Sequence, residues 1–280
     1  MKPFLAILII FSLSFAYAGE ERLIIEKIDL GQSSNERDHL YFSDGKIGVL
    51  TSKSGRDIFI KEDIGVGSTV EVKLDKNHNV LSLIKVKDST SKDKIDFKSF
   101  EEKEVLSHYQ PTILPNMDTV NNIFRRMNRR WQRRSQCYNR AHVWNYEEFK
   151  NSGLKSKKVF IFYTRKYIRE YNFKWWFHAI PTVLVNHEGT VVERALDPMF
   201  AKKPLAMKTW SDLFIRSKRE CPVITKYSTY ENNQESEHCY LHYSSMYYWQ
   251  PRDLDKFERT GYEKESFIKS EIDYAYWEAF

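Results

Sequence analysis

The sequence predicts an α+β protein: a small all-β unit in front, then a larger unit in which a helix packs on an antiparallel sheet. Three observations carry that expectation. Residues 19–90 consist of short β-branched runs broken by turn signals, residues 116–153 hold one helical apolar stripe and then a helix bounded by a capping serine and a glycine stop, and residues 159–196 return to strand patterning around one tight hairpin. A chain of 280 residues has room for both units, each with a core of its own.

The first 18 residues read as a secretory signal. Lys2 supplies the positive start, residues 4–15 the apolar stretch, and Ala16-Tyr17-Ala18 the small-residue cleavage site. The expected mature chain is exported, periplasmic or secreted, and no later run is apolar enough to span a bilayer. Hydrophobic residues at 41% and aromatics at 15% mark a globular chain and exclude a disordered one. The net charge of +6, from 44 basic and 38 acidic residues, is too mild to call for nucleic acid as a partner. A soluble monomer is expected.

Residues 23–28, 41–50, 57–61, 68–74 and 80–86 have strand character. Asp44-Gly45, Ser54-Gly55, Gly65-Val66-Gly67 and Asp75-Lys76-Asn77 separate them as turns. The unit 19–90 is therefore expected to be a small barrel or sandwich. A polar run beginning at Lys87 leads into a linker over residues 91–108, and the second domain covers 109–280. Its first helix is predicted over 116–133, where Val120, Ile123, Phe124, Met127 and Trp131 form one stripe. Arg125, Arg126, Arg129, Arg130, Arg133 and Arg134 fall mostly off that stripe. A solvated polar face explains them better than an anion-binding patch, because the other basic residues do not cluster with them.

A second helix is predicted from Ser135, as N-cap, to a stop at Asn151-Ser152-Gly153, which places Cys137 in its first turn. Strands follow at 159–164, 175–185 and 190–196, the last two joined through Asn186-His187-Glu188-Gly189. Beyond Pro198 the chain reads as loops and short helices that cover the sheet.

Three cysteines in an exported chain leave one over. Cys221 and Cys239 lie in a loop-rich stretch and make a sensible disulfide, with Cys137 as the free thiol. A bridge from Cys137 to either of the others, or an inert buried thiol, are the alternatives that spacing leaves open. If Asn186 and Gly189 flank a two-residue turn, His178 stands directly opposite Asp197, with Cβ atoms about 4.5–5.5 Å apart. A helix-start thiol, a strand histidine and a facing carboxylate together meet the needs of thiol catalysis. The dipole and an imidazolium favour the thiolate, the histidine moves protons, and the aspartate fixes its tautomer. The backbone N–H of Cys137 is the natural oxyanion donor. Trp175 and Trp176 are candidate substrate contacts. No metal-ligand spacing is present, and neither a metal nor an organic cofactor is expected.

The run Cys137-Tyr138-Asn139-Arg140-Ala141-His142 resembles the nucleophile segment of bacterial protein-glutaminases, secreted enzymes that deamidate glutamine side chains in proteins. Phe177-His178-Ala179-Ile180 resembles that family's histidine strand, and Leu196-Asp197-Pro198 its aspartate. The resemblance covers about residues 110–260. It implies a papain/transglutaminase-like core, Cys137, His178 and Asp197 as a triad, and a pro-region at the position of residues 19–90. Protein or peptide substrates with an exposed glutamine follow from it. A cysteine peptidase or transglutaminase would use the same three residues, and a non-enzymatic binding protein would use none of them.

Overall fold

The structure is a computed structural model that describes residues 21–30, 37–50, 64–65, 68–86, 109–132 and 135–280. The signal segment, the expected strand 57–61, the linker 91–108, and Arg133 and Arg134 lie outside the described residues. The chain is mixed α+β, as expected, with two sheets whose pairings are mainly antiparallel.

The first sheet is built from β1 (Glu21–Asp29), β2 (Asp38–Phe42), β3 (Ile47–Leu50), β4 (Thr69–Leu74) and β5 (Val80–Lys85), in the spatial order β3-β2-β1-β4-β5. Alternation sets its inner face: Leu23 and Ile25 of β1, Leu40 and Phe42 of β2, and Val70 and Val72 of β4 close a core of their own. The β2–β3 turn carries Gly45 at φ +82°, where a Cβ would come 3.2 Å from the carbonyl oxygen of Phe177. That turn is pressed onto the second sheet. Trp176 donates its backbone N–H to Gly45 O at 2.8 Å and its indole Nε1 to Phe42 O at 3.1 Å. Tyr41 and Ile47 join the aromatic core around Phe160, Phe162 and Phe177.

The second sheet uses β6 (Ile113–Leu114), β7 (Lys157–Tyr163), β8 (Phe177–His187), β9 (Thr190–Ala195), β10 (Val223–Ile224) and β11 (Cys239–Ser245). β8 is its hub, pairing antiparallel with β7 over 177–182 and with β9 over 182–187, and parallel with β6 at Leu184 and Val185. The described residues add seven helices: α1 (Met117–Arg126), α2 (Cys137–Ser152), α3 (Arg165–Tyr171), α4 (Met207–Ser211), α5 (Tyr227–Asn232), α6 (Pro251–Thr260) and α7 (Lys269–Ala279). The disulfide is Cys221–Cys239, tying the approach to β10 to the start of β11, and Cys137 is free.

Three expectations are corrected in detail. α1 ends at Arg126 and not at 133, because the Asn128 carbonyl is taken by the indole N–H of Trp144 and Arg126 turns to pair with Glu148. The N-cap of α2 is Gln136 and not Ser135, so Cys137 is the first helical residue. Its end at Gly153, left-handed at φ 68°, is as predicted. The β8–β9 turn consists of Glu188 and Gly189, at φ 52° and 80°, flanked by His187 and Thr190. The ladder is therefore shifted from the expected register and stops at Thr182 opposite Ala195.

Candidate active site

Cys137, His178 and Asp197 meet at the N-terminal end of α2. The helix is central: Tyr138 to Asn145 and Glu148 are all buried, between β8 on one side and α7 and the first sheet on others. Its buried polar side chains are met one by one: Asn139 by Trp249, His142 by Lys158, Asn145 by Ser156 and Glu148 by Arg126. Its first turn presents the sulfur toward β8, where the histidine stands.

His178 lies near the start of β8, beyond the reach of the β9 ladder. It is 1% exposed and donates from Nε2 to Oδ2 of Asp197 at 2.9 Å. The aspartate does not reach it as a cross-strand partner. β9 leaves the ladder after Ala195, Leu196 N–H donates to Pro181 O, and the Asp197 carbonyl accepts from Phe200 and Ala201 in a tight turn. This turn swings the carboxylate back over the open edge of β8. The pairing inferred from the hairpin is thus present, though the register that suggested it is not.

Trp210, on α4, supplies a contact the sequence did not reveal: its Nε1 donates to the same Asp197 oxygen at 3.0 Å. The His178 ring is enclosed by Trp175, Phe200, Trp210 and Phe214, with centroids 5.0 to 6.2 Å away. Because Nε2 is committed to Asp197, Nδ1 is the nitrogen left for Cys137. It is buried and has no conventional hydrogen-bond partner, while the thiol and the imidazole interact directly.

Charge follows from this arrangement. Burial alone pushes the Cys137 thiol up. The His178 side chain, the Arg140 guanidinium and the Ala179 backbone N–H outweigh it, and the thiol falls below its ordinary value. Burial pushes His178 down, but Asp197 and Cys137 raise it to about 9. Asp197, pushed up by burial, is held below the usual carboxylate range by His178, Trp210 and Arg140. Each shift favours the charged form of its group: the thiolate of Cys137, the imidazolium of His178 and the carboxylate of Asp197.

Other sequence candidates fall elsewhere. Trp175 is half-buried beside the His178 ring, whereas Trp176 is 1% exposed beneath the first sheet. His142 points away from the sulfur, into a buried contact with Lys158 at 3.1 Å, and desolvation beside Lys158 holds it well below the histidine range. No cluster of histidine, cysteine and carboxylate groups able to hold a metal occurs among the described residues, and no helix there is long and apolar enough to cross a membrane.

Comparison with known proteins finds similarity in the same segment. Residues 116–214 match the family model described as glutaminase, Gln_deamidase_2. Among solved structures, a mutant pro-protein-glutaminase is similar at 15% identity, covering 82% of this chain and 83% of that one, with a TM-score of 0.49. A pro-protein-glutaminase follows at 14% identity, covering 86% and 94%, TM-score 0.46. The protein-glutaminase from Chryseobacterium proteolyticum has 14% identity, covering 59% and 86%, TM-score 0.37. No curated protein matches the chain. The segment bearing Cys137, His178 and Asp197 is thus the part of the chain that matches the glutaminase family model, in agreement with the resemblance read from the three motifs.

Proposed function

We propose that this chain is an exported protein-glutamine deamidase, converting glutamine side chains of proteins to glutamate and ammonia through a thioester on Cys137. The observation that carries the reading is the buried His178 held between Asp197 on Nε2 and the free thiol of Cys137 on its other side. In this reading the Cys137 thiolate attacks the carboxamide carbon, and the helix-start N–H of Cys137 receives the developing oxyanion. His178 gives its proton to the nitrogen, the C–N bond breaks and ammonia leaves. Water then attacks the thioester, His178 takes its proton, the C–S bond breaks, and glutamate is released with the thiolate restored. Asp197 stays ionised throughout and holds the ring.

The helix-borne cysteine over an antiparallel sheet corresponds, in this proposal, to a papain/transglutaminase-like core, and residues 19–90 to a small all-β unit in the place of a pro-region. The β2–β3 turn lies against Phe177 and Tyr138, the neighbours of His178 and Cys137, which supports a role for this unit in access to the site. Trp175 is the aromatic placed to contact a substrate chain.

The test is ammonia release from an unfolded protein such as casein. Activity is expected for the wild type, with products that carry acid in place of amide, an uncut backbone and no crosslinks. Cys137→Ala is expected to abolish it. Equal ammonia release by that variant would end the proposal, and chain cleavage or crosslinking would move the assignment to a peptidase or a transglutaminase.

A further inference from the structure

Arg140 is the charged group of this site that the reaction above leaves unused. It follows Cys137 by one helical turn on α2 and is 4% exposed. Among the described residues its hydrogen bonds run to Ser135, to the carbonyl oxygen and, at 2.7 Å, to Oγ. Arg126, Arg165, Arg169 and Arg259, all more exposed, are each paired with a carboxylate. The buried guanidinium has no such partner at ion-pair distance among the described residues.

That inversion calls for a physical reason. A guanidinium cannot shed its proton, so burial without a counter-charge is strongly unfavourable. Its two neutral acceptors satisfy hydrogen bonds but not charge. The anions whose fields reach it are Cys137 and Asp197, and both act to keep it protonated against desolvation. The charged and titratable groups acting on the sulfur from the surrounding elements are His178 on β8, Lys158 and Tyr163 on β7, and Arg140 on α2 itself. Of the cations among them, Lys158 is desolvated to a pKa of about 7 and His178 must surrender its proton during turnover. Arg140 is the cation that stays fixed.

We propose that Arg140 is a positioning residue of the site: its buried guanidinium is the permanent counter-charge of the Cys137 thiolate and the Asp197 carboxylate, and its grip on Ser135 fixes the chain where it enters α2. The proposal rests on the reading of Cys137 as nucleophile. It assigns a division of labour in which His178 is free to lose its proton while Arg140 keeps the sulfur ionised.

The test is the rate of Cys137 alkylation by iodoacetamide against pH, in the full mature chain. Cys137→Ala serves as the blank and a melting curve verifies folding of each variant. Arg140→Gln is expected to raise the midpoint of the alkylation profile by about one pH unit, slowing the reaction roughly tenfold below the midpoint. Arg140→Met, which leaves no polar group to satisfy, makes the same prediction should the glutamine variant not fold. Arg140→Lys, which keeps the charge, is expected to restore most of the wild-type profile. A purely structural clamp on Ser135 would lower the melting temperature in all three variants and leave the midpoint in place, and that outcome overturns the proposal. A wild-type thiol no more reactive at neutral pH than free cysteine would instead overturn the nucleophile assignment, and this proposal with it.

Discussion

His178 and Trp210 donate to one and the same oxygen, Oδ2 of Asp197, at 2.9 and 3.0 Å. The two donors come from different layers, one from the hub strand and the other from a short helix after the last hairpin strand. Between them they fix a buried carboxylate that would otherwise be free to rotate about its χ angles. A carboxylate held by two N–H groups stays ionised in a dry site, and an ionised carboxylate keeps the imidazole in a single orientation.

Trp210→Phe tests that arrangement. The ring volume is largely kept and one charge-assisted hydrogen bond, worth about 1.5–3 kcal/mol, is removed. We expect kcat/KM to fall about tenfold or more, with KM little changed and the melting temperature lowered only slightly. Unchanged kcat/KM in a folded variant would show that His178 alone positions the carboxylate.

Asp197→Asn keeps the shape and removes the charge. The amide offers the imidazole a donor where a proton acceptor is required, and the wrong tautomer is favoured. A loss of about 10³–10⁴ in kcat is expected, the scale seen when the carboxylate of an analogous triad is replaced by its amide. Steady-state ammonia release measures it.

The pH–rate profile should have an acid limb set by the lowered thiol and an alkaline limb near pH 9, where His178 loses its proton. The stability linkage has the same sign. A histidine raised above its unfolded value of about 6.5 stabilises fully below that value, and the contribution disappears as pH rises through about 9. An alkaline limb of kcat/KM at pH 7 or below would contradict the ion pair.

Glu26 on β1 faces Arg252 across the junction of the two sheets at 4.0 Å, and its Oε1 has no hydrogen-bond partner. Burial raises its carboxyl to about 7 despite that arginine. With the folded value above the unfolded one, its stabilising contribution is present at low pH and lost as pH rises through about 7. Glu26→Gln is therefore expected to raise the melting temperature by several degrees at pH 8 and to leave it nearly unchanged at pH 4. A gain of equal size at both would place the effect in packing.

The helix carrying Cys137 was readable from its glycine stop, and the disulfide from the oddness of three cysteines in a chain with a signal-like start. The hairpin was readable too, but its turn was set one residue away. The pattern Asn186-His187-Glu188-Gly189 contains two residues able to adopt positive φ before or at the glycine, and only the side chain of Asn186, which accepts from Gly189 N–H, selects Glu188-Gly189 as the turn. Trp210 gave no signal in the sequence because nothing local distinguishes an indole that donates to a carboxylate from one that fills a core.

By itself the sequence set out the chemical inventory: three cysteines of which one is left over, a histidine in strand-like patterning, an aspartate beside a proline, and a helix whose first turn holds a thiol. Side-chain chemistry and short-range backbone preference decide those things, and both are written in consecutive residues. The tertiary structure alone decided that Asp197 reaches His178 by a turn after the ladder has ended, that Trp210 shares its oxygen, and that Arg140 is buried without an ion pair among the described residues. Each of these depends on how elements far apart in the chain exclude water from one another, and desolvation is a property of the packed whole.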